Sequence, residues 1–430
     1  MRIRTLAILG LLILGACKPV QPATGTHLPA PTLAPATPTA TENIPLRSME
    51  NPTPLALAPS PTPVQDLRNF QLISALDTVL PGIITNLQVT GDGSIWLASD
   101  RGVARLYAGI HQADLARFWD LAVGADETGR FWVVSRNGAQ ISSWDGSSWT
   151  HYDEKRGWLP IPNHPEFPRV QTGIQTDSSG TIWLATSWDI RRFNGREWIV
   201  STPSTMNLPL PWKKNQVTSL HLLVIPGTEQ VWVGGCDWQN GEVVGGGGIR
   251  RFVDGTWQDA RLPVSPACVT SLTMGSPGNL WAGVNGSLWH FNLASETWTE
   301  YPPPPLPSPS SELEYQAILD LPADDLNHLF PRFSLCGQAG CDLHTIRFFF
   351  MDGLWKPLDG IQPAGQESIQ FDASRTAWKI TPNQLSRFWE NQWEEFAQLE
   401  IQADALDSQG KLWLAAGFNQ RLSLWAQKPE

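Results

Sequence analysis

The chain has 430 residues, a formal net charge of −11 and only 17% charged residues. No basic stripe runs along it, which excludes electrostatic binding of nucleic acid. Length alone would suggest about three domains of ~150 residues, although all-β rings are an exception to that expectation. The 36 glycines, 36 prolines and 22 tryptophans are typical of a turn-rich β protein.

The first 17 residues have the pattern of a targeting signal. Arg2 and Arg4 precede an apolar stretch, residues 6–14, that is too short to span a bilayer stably. The Leu-Gly-Ala-Cys sequence at 14–17 then resembles a bacterial lipobox. We therefore expect lipid attachment at Cys17, which would anchor the protein to the cell membrane with the rest of the chain outside the cytoplasm, facing outward. An ordinary signal peptide with a chance cysteine is the alternative.

Residues 18–64 predict a disordered tether rich in proline, threonine and alanine. Twelve prolines fall among these 47 residues. Such a segment does not bury a core and stays extended at ~3.1 Å per residue. It would hold the following domain on the order of 100 Å from the membrane.

From about residue 84 to the C-terminus the chain repeats one phrase, most fully at 176–198, TDSSGTIWLATSWDIRRFNGREW. An alternating run, strand A, ends in a turn and is followed by strand B with a central tryptophan, Trp183. A second turn leads to strand C, and the Asn-Gly turn at 194–195 leads to strand D. Alternation at period two, with β-branched and aromatic residues between such turns, predicts a four-stranded antiparallel meander.

Aromatic residues mark strand B in every copy, with Phe330 in the weakest one. Their successive spacings are 36, 51, 49, 49, 49, 48 and 35. A four-stranded unit at this period indicates β-propeller blades, because one meander leaves its faces uncovered until it packs on its neighbours. We interpret these residues and the strand-D tryptophans as core. The strand-B tryptophans are Trp96, Trp132, Trp183, Trp232, Trp281, Trp378 and Trp413, and those of strand D are Trp149, Trp198, Trp257, Trp298, Trp355 and Trp393.

The two ends of the repeat region predict how the ring closes. A lone strand at 69–73 precedes the first full copy, and the last copy shows only strands A, B and C. The N-terminal strand should therefore complete the C-terminal blade and remove two exposed sheet edges. The expected fold is all-β, a propeller of eight four-stranded blades over 65–430. Seven blades are the alternative, if the copy at about 316–357 is an insertion.

The residues DGSIWLA at 92–98, GV at 102–103, GIRRF at 248–252 and DG at 254–255 resemble the two-component regulator propeller repeat. The resemblance covers about residues 84–425. It implies a propeller and no particular activity, because that repeat is structural. The turn at 177–183 is also similar to the Asp-box of sialidases, which is likewise a turn motif without catalytic residues.

Strand order predicts that the B–C loops and D–A connections lie on one face, called here the upper face, and the A–B and C–D turns on the lower face. Binding residues concentrate on loops held by a rigid scaffold, so the upper face is the expected ligand-binding site. All five long segments fall on that face: 153–169, 203–216, 236–247, 302–314 and 331–343.

Tryptophans outside the core positions are candidate ligand-binding residues of the upper face. Exposed aromatic side chains suit sugar faces or a peptide. The alternative is that they hold the long loops on the blades. The candidates are Trp158, Trp188, Trp212 and Trp238, together with Arg101, Arg136, His164, Lys213 and Lys214.

Four cysteines follow Cys17, an even number in an oxidising location. Cys336 and Cys341 flank a short Gly-Gln-Ala-Gly loop, and Cys236 and Cys268 fall at the upper ends of neighbouring blades. We predict disulfides 236–268 and 336–341. Metal binding is the alternative, but CxxxxC without a matched histidine pair is a poor zinc pattern, so no metal site is predicted.

Catalytic motifs are missing from the sequence. It contains no nucleophile elbow, phosphate-binding loop or zinc-protease helix motif, it predicts no cofactor, and its eight histidines are scattered. The prediction is a non-catalytic binding, sensing or protein-interaction scaffold for a carbohydrate, peptide or protein. The alternative is an extracellular enzyme acting on sugars or peptides, similar to sialidases or streptogramin-lyase-like proteins, which would need His, Glu or Arg clustered at the channel mouth.

Overall fold

Eight antiparallel sheets make up the described part of the protein. The computed structural model describes residues 69–76, 80–107, 110–114, 121–135, 137–162, 170, 173–208, 217–239, 242–306, 313–337, 340–363, 365–418 and 421–428. Side chains are described for all of these except 110–114, 121–123, 217–218, 238–239, 242–244, 340–343, 418 and 421. The expected signal sequence, Cys17 and the tether lie outside the described residues.

Strand β1 (Phe70–Ala75) comes first in the chain and is followed by four blades in sequence order. Blade 1 contains β2 (Ile84–Val89), β3 (Ile95–Ser99), β4 (Val103–Tyr107) and β5 (Ile110–Asp114). Blade 2 contains β6 (Leu121–Ala125), β7 (Phe131–Val134), β8 (Ile141–Trp144) and β9 (Trp149–Tyr152), after which a short 3-10 helix spans Glu154–Arg156. Blade 3 contains β10 (Gln175–Thr176), β11 (Ile182–Ala185), β12 (Ile190–Phe193) and β13 (Trp198–Ser201). Blade 4 contains β14 (Val217–Val224), β15 (Val231–Gln239), β16 (Glu242–Val253) and β17 (Thr256–Asp259).

The second half of the chain repeats the arrangement. Blade 5 contains β18 (Val269–Met274), β19 (Asn279–Val284), β20 (Ser287–Asn292) and β21 (Thr297–Tyr301). Blade 6 contains β22 (Glu314–Asp320), β23 (Arg332–Gly337), β24 (Gly340–Met351) and β25 (Leu354–Pro357), and β26 (Gln362–Pro363) pairs with β24. Blade 7 contains β27 (Ser368–Phe371), β28 (Ala377–Thr381), β29 (Gln384–Trp389) and β30 (Gln392–Gln398). Blade 8 contains β31 (Glu400–Leu406), β32 (Leu412–Phe418) and β33 (Arg421–Gln427).

Strand β1 supplies the missing fourth strand of blade 8. It pairs antiparallel with β33, from Phe70 opposite Gln427 to Ala75 opposite Ser423. The eight-bladed fold with N-terminal closure is therefore confirmed. The seven-bladed alternative is wrong, because the weak sixth copy forms a complete sheet of its own.

Aromatic side chains pack each blade on the next. The ring centroid of Trp132, on strand B of blade 2, lies 5.4 Å from that of Phe193 and 5.5 Å from that of Trp198. Phe193 and Trp198 lie on strands C and D of blade 3. Trp183 contacts Phe252 and Trp257 of blade 4 in the same way. Because the tryptophan recurs at the same position of strand B, successive blades pack on each other through the same kind of aromatic contact. The tryptophans predicted for strand B are all buried.

An aspartate six residues before the strand-B tryptophan holds its indole in four blades. Asp177, for example, accepts the Trp183 Nε1–H at 2.8 Å and also the Ser179 and Thr181 backbone amides at 3.0 Å each. One carboxylate thus closes the A–B turn and satisfies a buried donor. The other three pairs are Asp126–Trp132, Asp372–Trp378 and Asp407–Trp413.

Blades 5 and 6 lack this aspartate–tryptophan pair and use other residues at the A–B turn. In blade 6 the tryptophan is replaced by Phe330, which is buried but lies two residues before strand β23, whereas the sequence predicts it within that strand. Asp324 instead bonds the ring of His328 at 2.7 Å. Blade 5 has Gly275 in place of the aspartate, and Asn327 of blade 6 reaches across to accept from Trp281 at 3.2 Å. A Cβ on Gly275 would lie 2.2 Å from the Asn327 oxygen, so the glycine makes room for its neighbour's side chain.

Side chains of one blade also bond the inner strand edge of the next. Gln88 of blade 1 bonds both the N–H and the C=O of Ala125 in blade 2. Gln175 of blade 3 bonds the Leu222 C=O at 3.1 Å and the Val224 N–H at 2.8 Å in blade 4. These pairs satisfy backbone groups that a strand-A edge would otherwise leave without a protein partner.

Candidate functional site

The five long segments all connect strands B to C or D to A, as the sequence predicts. Two of them, however, are mainly strand rather than loop. The β15–β16 and β23–β24 hairpins extend beyond strand D of their blades, whereas strand A remains paired with strand B up to Trp238 in blade 4 and Cys336 in blade 6. One long connection was missed: residues 321–331 join strands A and B of blade 6 on the lower face. The upper face still carries most of the added length.

The blade-4 hairpin is fixed to blade 5 by a covalent bond. Cys236 on β15 forms a disulfide with Cys268, just before β18, with the two Cα atoms 4.4 Å apart. This is the pairing predicted from the sequence. Gly246 on β16 allows the close approach, because a Cβ there would lie 2.0 Å from the Ala267 carbonyl carbon. The register places Trp238 opposite Val243, next to the tip of this hairpin.

The blade-6 hairpin and the connection to blade 7 are joined by buried charges. Arg347 on β24 is 2% exposed and contacts Asp320 at 2.8 Å and Glu367 at 2.6 Å. Arg332 contacts the same two acids at 2.6 and 3.8 Å. Two cations and two anions therefore form a neutral set that holds residue 367 on the blade, which offsets much of the cost of burying charge.

Trp158 is not a surface residue, so its assignment as a ligand-binding residue is wrong. It is 0% exposed, its ring centroid lies 5.1 Å from that of Trp198, and the Arg191 guanidinium lies 4.1 Å above it. Its Nε1–H donates to the Gly138 carbonyl at 3.2 Å. The residue anchors the blade 2 to blade 3 connection. The apolar residues around it, Trp-Leu-Pro-Ile at 158–161, were the sequence signal for burial.

Other candidates have mixed positions. Trp188 is half-buried and packs on the same cluster as Trp158, so it too serves mainly to hold a turn. Arg101 is exposed in the short B–C turn of blade 1, where its backbone N–H donates to the Ser99 hydroxyl at 3.1 Å. Among the ligand-binding candidates whose side chains the structure describes, Arg101 is the one that is fully exposed.

Several expected residues fall outside the described part of the chain. Cys336 is disulfide-bonded, whereas the side chain of Cys341, its predicted partner, is outside the described set. The same holds for the side chain of Trp238. Arg136, His164, Trp212, Lys213 and Lys214 are also outside it.

A cavity of 380 Å³ on the upper side of blades 6 to 8 was not predicted. Arg332, the connection at 365–367, the end of β28 and the first half of β31 line it. Asp404 on β31 accepts hydrogen bonds from Ser368 Oγ at 3.1 Å and Gln370 Nε2 at 2.9 Å. The residues are far apart in the chain, so no local motif marks this site.

A second cavity, of 540 Å³, lies by the A–B turns on the lower face. Its acidic residues already have partners: Asp325 pairs with Arg375 at 2.6 Å, Asp324 with His328, and Asp372 with Trp378. We therefore interpret these acids as parts of the turns and blade contacts.

Catalytic groupings were sought among the described residues. Ser219 Oγ lies 2.7 Å from His221 Nε2 on β14, and burial lowers the pKa of His221 to about 4, so the ring is neutral at pH 7. Neither residue lines the two cavities above. Nowhere in the described ranges do three His, Cys, Asp or Glu side chains gather in a way that could hold a metal ion. The same residues contain no helix long and apolar enough to cross a membrane.

Comparison with known proteins found no matching family model and no matching curated protein. Among solved structures, virginiamycin B lyase from Staphylococcus aureus is 15% identical with a TM-score of 0.42, and the match covers 73% of this chain and 95% of that one. The extracellular domain of a hybrid two-component system from B. thetaiotaomicron is 16% identical with a TM-score of 0.36, over 81% of this chain and 51% of that one. YCF48 from Cyanidioschyzon merolae is 13% identical with a TM-score of 0.42, over 84% and 99%. Such distant likenesses identify no ligand or reaction for this chain.

Proposed function

We propose that this protein is a surface lipoprotein whose propeller binds an extracellular carbohydrate, peptide or protein through its upper face, without catalysis. The observation that carries the proposal is the placement of added chain length. The five long segments, in blades 2 to 6, all join strand B to strand C or strand D to strand A, which is the connectivity expected of the upper face. Rigid scaffolds present binding residues on such connections.

Two hairpins of the upper face are fixed in place, which supports a recognition role. The β15–β16 hairpin is tied to blade 5 by the Cys236–Cys268 disulfide, and the β23–β24 hairpin is covered along its outer edge by β26. Projections that are ordered before binding lose less conformational entropy on contact with a ligand. A preorganised hairpin with Trp238 beside its tip is therefore a good anchor for a partner.

The anchoring part of the proposal depends on the sequence of residues 1–64. A lipobox-like sequence and a proline-rich tether would attach the propeller to the outside of the cell membrane. Metabolic labelling with a radioactive fatty acid tests this part. The wild-type protein should be labelled and should partition with membranes, and Cys17→Ala should lose both properties. Labelling that persists in Cys17→Ala would contradict it.

The binding part is tested with purified protein on glycan arrays and in pull-downs from extracellular fractions. We expect Trp238→Ala combined with Trp212→Ala to weaken binding at least about tenfold, as for aromatic anchors at interfaces. Trp389→Ala is the matched control, because Trp389 is 56% exposed at the end of strand C of blade 7, next to the C–D turn on the lower face. Equal loss in the control, or no loss in the double variant, would argue against an upper-face aromatic site. Turnover of a captured ligand would instead favour an enzyme.

A further inference from the structure

The 380 Å³ cavity of the upper face contains one uncompensated charge. Arg332, Glu367 and Asp404 are the charged residues among those that line it. Arg332 and Glu367 belong to the neutral set completed by Arg347 and Asp320, in which each acid contacts both arginines. Asp404 is left over, with no cation within ion-pair distance among the described residues. The cavity therefore has a net negative charge when Asp404 is ionised.

The neighbours of Asp404 hold it in place without neutralising it. Ser368 donates a hydrogen bond to one carboxylate oxygen of Asp404, and Gln370 donates one to the other; both donors are uncharged. Burial raises the pKa of Asp404, and these two hydrogen bonds only partly oppose that effect. A carboxylate that is partly desolvated and lacks a counter-ion gains most from a cation that enters the site.

The rest of the lining combines apolar residues with the uncharged polar residues Gln366, Thr381 and Gln402. Ile380 and Ile401 are 4% and 8% exposed, and Pro382 and Ala403 complete an apolar wall beside Asp404. Lysine and arginine side chains combine an apolar stem with a cationic head, so such a wall and a carboxylate match their two parts. The volume of 380 Å³ exceeds what one such side chain needs and leaves room for part of its backbone.

We propose that this cavity is a subsite for a primary amine or guanidinium group, with Asp404 as its ionic partner, and that it takes a lysine or arginine side chain of the ligand. The inference rests on the proposed function, which it narrows to a peptide or protein ligand with an exposed basic residue. A free polyamine would present the same chemistry, so the test separates the two sources.

The test titrates the purified protein with acetyl-arginine-amide, acetyl-lysine-amide and agmatine, using calorimetry or NMR. Acetyl-citrulline-amide is the neutral isostere of the arginine probe. We expect saturable binding of the cationic probes, at least tenfold weaker binding of citrulline, and at least tenfold weaker binding of every probe to Asp404→Asn. Tighter binding of the two amides than of agmatine identifies a peptide side chain, whereas tighter binding of agmatine overturns the peptide assignment.

Glu400→Gln is the matched control. Glu400 lies on the same strand, is exposed and does not line the cavity, so its loss removes the same charge without touching the site. If Glu400→Gln lost as much affinity for the probes as Asp404→Asn, the effect would come from net charge and not from the cavity, and the proposal would be overturned. Failure of all cationic probes to saturate the wild-type protein would also overturn it. If a macromolecular ligand bound Asp404→Asn as tightly as the wild type, the subsite proposal would be overturned, but the proposed function would not be affected.

The pH dependence gives an independent readout. The charged groups that face Asp404 are Glu367 from the connection and Arg332 from β23, while β27 contributes uncharged Ser368 and Gln370. Because the cation binds ionised Asp404, affinity should fall as pH decreases through the raised pKa of that carboxyl. Residual binding to Asp404→Asn should not change over that range. An affinity that is equally pH-dependent in both proteins would contradict the assignment.

Discussion

At the scale of single residues, polar partners decide how firmly each strand-B aromatic residue is held. Four tryptophans donate to an aspartate of their own blade, and Trp281 donates to Asn327 of the next one. Trp96 and Trp232 are equally buried and have no acceptor for the indole N–H among the described residues. The aspartate therefore strengthens a packing position that the aromatic ring fills in any case.

Asp177 offers a direct measurement of that contribution. We expect Asp177→Ala to lower the free energy of unfolding by about 2–4 kcal/mol, because the Trp183 indole and two turn amides lose their acceptor in a buried site. Asp177→Asn should cost less, since one oxygen remains. Asp145→Ala is the control, because Asp145 closes an exposed turn without bonding a tryptophan. Equal losses at the two sites, read by chemical denaturation, would contradict this role.

His221 predicts a loss of stability in mild acid. Burial lowers its pKa from 6.5 to about 4 in the folded protein. As pH falls from 6.5 to 4, the unfolded chain therefore binds the proton first, and the stability present above pH 6.5 is lost in that window. The expected change is roughly 1–3 kcal/mol, allowing for partial exposure of the ring.

His221→Gln isolates this effect from other titrating groups, such as His290. As pH decreases from 6.5 to 4, the unfolding free energy of the wild type should fall relative to that of His221→Gln. Above and below this range the difference between the two proteins should be constant. Denaturation curves collected from about pH 3 to pH 8 measure it. Parallel pH profiles for the two proteins would show that His221 does not titrate as expected.

At the scale of elements, the long hairpins are where this propeller departs from a plain repeat. Strands β15 and β16 continue past β17, the outermost strand of their blade, to residues 239 and 242, and the disulfide ties this extension to the start of β18. The β23–β24 hairpin is covered by β26 along its outer edge and joined to residue 367 by buried ion pairs. A disulfide thus holds the blade-4 hairpin, whereas strand pairing and ion pairs hold the blade-6 hairpin.

Removal of the blade-4 disulfide should loosen one hairpin selectively. We expect Cys236→Ser with Cys268→Ser to lower stability by roughly 3–4 kcal/mol, the loop-closure entropy for a bridge between residues 32 apart. Amide hydrogen exchange should increase in the parts of β15 and β16 that extend past β17. The β23–β24 hairpin serves as internal control and should keep its protection. Uniform loss of protection in both hairpins would show a global effect instead.

At the scale of the whole molecule, one pairing between distant segments makes the ring continuous. Strand β1 completes blade 8, and Phe70 packs against Trp378 of blade 7 with ring centroids 5.9 Å apart. In blade 8 this phenylalanine fills the place that a strand-D tryptophan fills elsewhere. The closure therefore includes both backbone hydrogen bonds and a core aromatic contact.

Truncation of that aromatic residue should weaken the closure. Phe70→Ala is expected to cost about 3–5 kcal/mol, as for buried aromatic residues elsewhere. Leu72→Ala on the same strand is the control, because Leu72 is 57% exposed and should change stability by less than about 0.5 kcal/mol. Chemical denaturation and limited proteolysis near residue 76 check both. Similar stability of the two variants would contradict the role of Phe70 in closure.

The sequence by itself predicted eight blades in preference to seven, the closing strand, the burial of the strand-B tryptophans and the face on which each kind of connection lies. These features depend on local periodicity and on strand order, which a repeat displays directly. It also indicated the Cys236–Cys268 pair, because strand order brings the upper ends of blades 4 and 5 together.

Only the tertiary structure decided the features that join distant residues. Burial of Trp158 depends on Arg191 and Trp198 of the next blade, and Asn327 acts on a tryptophan of the preceding one. The cavity at Asp404 combines a strand of blade 8, the start of strand B in blade 6 and the connection between blades 6 and 7. Side-chain exposure and charge pairing are properties of the packed ring, so a pattern within one repeat carries no signal for them.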